Sequence, residues 1–169
     1  KEASRAFGSS TIVVSIDAIK RSDGTYEAYT DYGREGTGLD AHDWALRAAE
    51  LGAGELMVTA IDREGTGKGF DLELTRSIAG STSIPVIACG GAGTANDIFE
   101  VIAKGKADAV SVASLLHYHV VKNHSHSAGD FSNEGNTEFL QGTSSFNLIQ
   151  GTSINEIKTC LLDHGIQCR

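Results

Sequence analysis

The chain has 169 residues, 40% of them hydrophobic, a formal net charge of −8 and a single proline. It is therefore long enough for one domain with its own core and unlike a disordered segment, and its acidity disfavours nucleic acid or anionic membrane as the main partner. A small phosphorylated ligand stays open, because backbone and helix dipoles act locally.

Cys89, Cys160 and Cys168 are scattered with no CxxC pair, no apolar run reaches membrane-spanning length, and no signal peptide opens the chain. A disulfide framework or structural zinc site is disfavoured, and a reducing cytoplasm fits best. The first residue is Lys1, which leaves room for a longer natural chain.

In chain order, "TIVVSID" (Thr11 to Asp17) predicts a buried strand, followed by a polar, Gly-rich stretch. "DAHDWALRAAELGAG" has helical spacing through Trp44, Ala45, Ala48, Ala49 and Leu51, with Trp44 assigned to the core and Gly52 at the C-cap. "ELMVTAID" (Glu55 to Asp62) predicts the second strand and "FDLELTRSIAG" the second helix, closed by Gly80. "IPVIACGG" is the third strand, after which Gly90, Gly91 and Gly93 precede Thr94, the N-cap of a helix running to Lys104. "ADAVSVAS" (Ala107 to Ser114) is the fourth strand. A last helix starts at Ser153, with Glu156 completing a capping box, and stops at Gly165.

Strands apolar on both faces and separated by helices indicate an α/β fold with a parallel sheet. Four such units form either a small doubly wound sheet or half of a TIM (β/α)8 barrel. Polar residues collect at the strand ends (Asp17, Asp62, the glycines after Cys89, Ser114), which favours the barrel, whose active site lies on that face. The bare amides of the Gly-rich turn suit an anion, while a tight turn needing only φ > 0 is the competing reading. The barrel assignment tilts the choice towards phosphate.

The segments "IVVSIDA", "GAGELMVTAIDREGT", "GFDLEL", "IPVIACGGAG" and "ADAVSVASLLH" together resemble the cyclase subunit of imidazole glycerol phosphate synthase. The resemblance covers about Phe7 to His117, and "IKTCLLDHGIQCR" resembles that family's C-terminus. What is matched is the C-terminal half of the family's barrel. The resemblance implies a reaction of histidine biosynthesis without a cofactor. Ammonia from a glutaminase partner is added to a phosphoribulosyl-formimino aminoimidazole carboxamide ribonucleotide, giving imidazole glycerol phosphate and aminoimidazole carboxamide ribonucleotide.

Residue by residue, the resemblance makes Asp17 the catalytic Asp at the end of family strand five. Its companion at the end of family strand one has no counterpart here. Asp62 matches an acidic position at the end of strand six, and Glu64 stands where the family usually has a second Asp. Gly65, Gly90, Gly91, Ala113 and Ser114 match the surroundings of one substrate phosphate, and Thr59 faces the same pocket. Glu55 matches a charged residue at the opposite mouth, where ammonia enters. From the residues alone, an isolated Asp at a strand end more often caps a turn; two on adjacent strands, Asp17 and Asp62, shift the balance towards acid–base chemistry.

The chain departs from the family pattern in two places. "DAIKRSDG" carries an extra residue at Ile19, which would fit a bulge. Residues 117–152 form a long polar insertion in a single domain of residues 1–169. His117, His119, His124 and His126 invite a metal reading, but a solvated loop is preferred, since the run lacks Cys and a helical spacing. The insertion, with "DREGTG" and "SIPVIACGGAG", also resembles cyclase paralogues of surface-polysaccharide pathways, which deliver ammonia to a sugar-modifying amidotransferase. A half-barrel would leave two parallel edges unpaired, so a homodimer or a missing N-terminal half is expected to complete it. The rival of another class is a non-catalytic phosphate-binding or assembly module.

Overall fold

In the computed structural model, residues 1–123 and 148–168 are described. A short helix α1 (Glu2–Phe7) and a 3-10 turn (Ser9–Thr11) lead into β1 (Val13–Lys20), β2 (Tyr26–Thr30), β3 (Glu35–Asp40) and α2 (Ala41–Glu50). Then follow β4 (Glu55–Ala60), α3 (Leu72–Ala79), β5 (Val86–Cys89), α4 (Ala95–Ala103), β6 (Ala109–Ser111), α5 (Ser114–Asn123) and α6 (Ile154–Asp163). One sheet has the order β3-β2-β1-β4-β5-β6, with β1, β4, β5 and β6 parallel and β2 and β3 antiparallel.

The expected strand–helix units are all present, as are the N-cap at Thr94, which Asp97 completes into a capping box, and the expected box of Ser153 with Glu156. The alternative of a doubly wound sheet fails on burial. Ile16 and Ala18, Leu56, Val58 and Ala60, and Val86 and Ala88 all point towards the helices, where they meet Ala41, Ala45, Leu74, Ile78, Ile98 and Val101. The alternate positions, Val13, Ser15, Ile87, Ala109 and Ser111 among them, lie on a face that no described helix covers and, apart from Thr59, are exposed or half-buried. Helices on one face only are what half of a barrel has.

Five expectations need correction. The polar stretch after β1 is not a loop but the antiparallel pair β2–β3. Its turn is built by Asp23, whose Oδ1 accepts from the Thr25 N–H and hydroxyl, and by Gly24 at φ 91°. No bulge marks Ile19: β1 pairs continuously with β2 from Asp17 to Lys20 and with β4 from Val13 to Ala18, and the irregular register lies between β2 and β3. One parallel edge is therefore half covered, since β2 occupies only the second half of β1. Finally, the insertion opens as α5, so His117 and His119 are helical, whereas His124 and His126 lie outside the described residues.

Trp44 is not core. The stripe of α2 that meets the sheet is Ala41, Ala45 and Ala48, and His42, whose Nε2 lies 2.9 Å from the Ser81 Oγ, marks the flank towards the end of α3. Two residues on, about 200° round the helix, Trp44 faces the opposite flank and stays 40% exposed. Leu74→Ala, which empties a fully buried site, is therefore expected to cost about 3 kcal/mol in urea unfolding. Trp44→Ala should cost the isolated chain less than about 1 kcal/mol.

Candidate functional site

Strand register assembles the site. Asp17 pairs with Thr59, Thr59 with Cys89, and Cys89 with Ser111, so these four side chains form one row across the uncovered face near the carboxyl ends of the strands. Asp17 and Cys89 are half-buried in that row, and Thr59 is 6% exposed. Glu55 pairs with Val13, four residues before Thr59 on the same face. At about 3.3 Å per residue it sits about 13 Å from the row, at the opposite mouth. Asp17, Thr59 and Glu55 thus share the inner face, with the two acids at opposite ends. Cys89 and Ser111 were missed as members of the row; the period of two along their strands was the signal available.

Beyond the row, the loop from β4 to α3 carries Asp62, Glu64 and Gly65, all exposed. It is a succession of turns: the Arg63 N–H donates to the Ala60 carbonyl and the Thr66 N–H to the Arg63 carbonyl, with Gly65, Gly67 and Gly69 at positive φ. This loop lies against the Gly-rich turn, where the Gly69 N–H donates to the Gly91 carbonyl at 2.8 Å. A Cβ on Gly91, which has φ 104°, would stand 2.2 Å from the Gly69 oxygen, and one on Gly90 2.7 Å from the Ala60 oxygen. Close backbone approach thus already accounts for both glycines.

The helix end after the turn is satisfied from within. The Gly93 and Thr94 N–H groups both donate to Asp97 Oδ2, at 2.9 and 2.8 Å. An anion at this turn would therefore have to use amides before Gly93, together with the start of α5, where Ala113 is exposed and Ser114 half-buried. The register gathers Asp17 and Thr59. Asp62, Glu64, Gly65, Gly90, Gly91, Ala113 and Ser114 follow the carboxyl ends of β4, β5 and β6.

Asp71 is a further residue that the sequence reading passed over. It is 4% exposed, and its Oδ1 accepts from the Tyr26 hydroxyl at 2.9 Å and from the Leu74 N–H, capping α3. Its Oδ2 lies 3.5 Å from Arg63 Nε. Burial, then the bond to Asp71, push the Tyr26 phenol up to about 12. A cleft of about 290 Å³ opens beside this cluster, lined by Arg63, Lys68, Asp71, Glu73 and Asp97 among others, and none of the expected site residues borders it.

As for metal ligands, His119 is occupied by Asn123 and lies 3.8 Å from Glu156. The described residues close enough to share a cation are Asp40, His42 and Asp43, where Asp40 already caps α2.

The raised phenol has a sign that can be tested. Its protonated form is favoured in the folded state, so its stabilisation is complete below pH 10 and lost as pH rises towards 12. In urea unfolding, the advantage of the native chain over Tyr26→Phe should shrink across that window and stay constant below it.

Comparison with known proteins bears on these positions. The model of the histidine biosynthesis protein family matches residues 1–122. The imidazole glycerol phosphate synthase subunit HisF of Alkaliphilus metalliredigens (strain QYMF) is 49% identical over 120 residues, 71% of this chain and 48% of that protein. The subunit of the same name from Lachnoclostridium phytofermentans is 52% identical over 118 residues, 69% of this chain and 46% of that protein. That from Prochlorococcus marinus (strain MIT 9215) is 50% identical over 118 residues, with the same coverage. The chain spans about half the length of these relatives. With four parallel strands, the described helices on one face and a polar row headed by Asp17 on the other, the chain belongs to the histidine biosynthesis protein family.

Proposed function

We propose that the chain supplies the C-terminal half of an ammonia-dependent cyclase site of the imidazole glycerol phosphate synthase type, acting in histidine biosynthesis. The observation that carries this reading is the register of Asp17 with Thr59 on the uncovered face, with the Asp62–Gly65 loop and the Gly90–Gly91 turn at the same strand ends. Asp17 is placed to move protons at the forming imidazole ring, with Asp62 as second acid. Thr59, Glu64, Gly65, Gly90, Gly91, Ala113 and Ser114 then surround one phosphate of the ribonucleotide substrate. Glu55, at the far mouth, gates the ammonia delivered by a glutaminase subunit docked at the amino ends of the strands. The printed name of the relatives, a synthase subunit, supports such a partner.

The reading places the chain in the cytoplasm. In keeping with that, its cysteines are free, and no helix among the described residues is long and apolar enough to cross a membrane.

The uncovered face needs walls. Residues Val13–Ile16 of β1 pair only with β4, while Trp44 at 40%, Ile154 at 55% and Leu162 at 56% leave large apolar side chains in solvent. These edges fit a second half-barrel, and we propose a homodimer in which the β1 edge of each copy meets the β6 edge of the other. Asp17 then appears twice in the closed barrel. A non-catalytic phosphate-binding module is the second reading, favoured by the row itself, in which Asp17 is joined only by Thr59, Cys89 and Ser111 and by no second acid.

Asp17→Asn should lower ammonia-dependent turnover by about 10²-fold or more, the range of general acid–base catalysis. Phosphate affinity should be retained. Phosphate binding without turnover in the native chain would favour the second reading. Light scattering at micromolar concentration should give twice the chain mass, and Trp44→Glu should halve it; a native monomer would contradict the homodimer.

A further inference from the structure

Among the described residues, the loop that carries Asp62, Glu64 and Gly65 is closed by short turns of its own, the Arg63, Glu64 and Thr66 N–H groups donating to the Ala60, Ile61 and Arg63 carbonyls. Asp62, Glu64 and Gly65 are exposed, and the glycines at 65, 67 and 69 are at positive φ. What fixes the loop comes from its far end. Arg63 Nη1 donates to the Gly69 and Phe70 carbonyls, at 3.4 and 3.2 Å, and its Nε faces Asp71 Oδ2. Asp71 in turn is anchored twice, by the Leu74 N–H of α3 and by the Tyr26 hydroxyl of β2.

Tyr26 belongs to the antiparallel pair and sits opposite Lys20 in the register with β1, three residues beyond the Asp17–Tyr29 pair. The strand bearing one acid and the loop bearing the other are thereby joined through one buried carboxylate. Lys20 reinforces the junction by pairing with Glu73 in the first turn of α3.

We infer that Tyr26, Asp71 and Arg63 form a clamp that sets the position of the Asp62–Gly65 loop relative to Asp17 and the Gly90–Gly91 turn. These are positioning residues: none lies in the Asp17–Thr59–Cys89–Ser111 row, and they act through the loop. The clamp explains why an acidic residue as buried as Asp71 tolerates its charge, since a guanidinium, a phenol and a helix amide share it. It also gives the β2–β3 pair a role in the site, as the support of Tyr26. The consequence for turnover rests on the cyclase reading; the consequence for loop order does not.

Amide hydrogen exchange on the native chain, Tyr26→Phe and Arg63→Gln separates the two. Both variants keep most of the native volume, and the lost bonds should speed exchange at Arg63, Thr66 and Gly69 about tenfold while α4 amides stay at the native rate. Unchanged loop exchange, or faster exchange throughout the chain, would overturn the clamp. In the ammonia-dependent assay, the same variants should lower kcat, counted per folded chain, about tenfold with KM nearly unchanged, a loss that a smaller folded fraction cannot account for. Full kcat in a variant with a loosened loop would overturn the positioning role. Should the native chain alone show no turnover, the exchange result by itself decides the clamp.

Discussion

Burial of one sheet face under α2, α3 and α4 is the constraint from which the rest follows. Ile16, Leu56, Val58 and Val86 must meet the helices, and side chains along a strand alternate with a period of two. Once those residues are inside, Asp17, Thr59, Cys89 and Ser111 are forced together on the other face. A shift of one residue in β1 or β4 would turn Asp17 or Glu55 towards the helices and push Ile16 or Val58 out. The hydrophobic effect that builds the core is thus also what lines up the polar row, without contacts made within the row itself.

The second level of organisation is polar and local. Asp71 ties β2, the β4–α3 loop and α3 through three groups, and Asp97 ties the Gly-rich turn to α4. Both carboxylates are used up by the chain, which separates them from the acids that remain open to a ligand. Asp17 and Glu55 lie on the uncovered face at opposite ends, and Asp62 lies on a loop. Acids committed to structure and acids free for chemistry are distinguished by their partners rather than by their position in the sequence.

Much of this was legible in the sequence, for definite reasons. Each parallel strand is an apolar run ended by a turn or a polar residue, and the caps at Thr94 and Ser153 announce their helices through hydrogen bonds that need only three residues of spacing. The β2–β3 pair was illegible by hydrophobic pattern because only Ala28 in it is fully buried. The Asp23–Gly24 turn was the available signal. Trp44 misled because its size suggests burial, while the packing stripe of α2 is made of alanines that let the helix approach the sheet. Ile19 misled because an extra residue can be absorbed in the turn after the strand as easily as in a bulge within it. For the site, the sequence pointed to individual strand ends. That Cys89 and Ser111 share a row with Asp17, and that Asp71 holds Arg63 and Tyr26, depends on register and on contacts between distant segments, which no local pattern encodes.

The central claim is that the carboxyl ends of β4, β5 and β6 hold a phosphate while Asp17 faces the ring attached to it. The most direct test is a titration of the isotope-labelled chain with imidazole glycerol phosphate, followed by amide chemical shifts. The account predicts the largest changes at Gly65, Gly90, Gly91, Ala113 and Ser114, with Asp17 and Thr59 next. Changes confined to the cleft lined by Arg63, Lys68 and Glu73, or none at all, would contradict it.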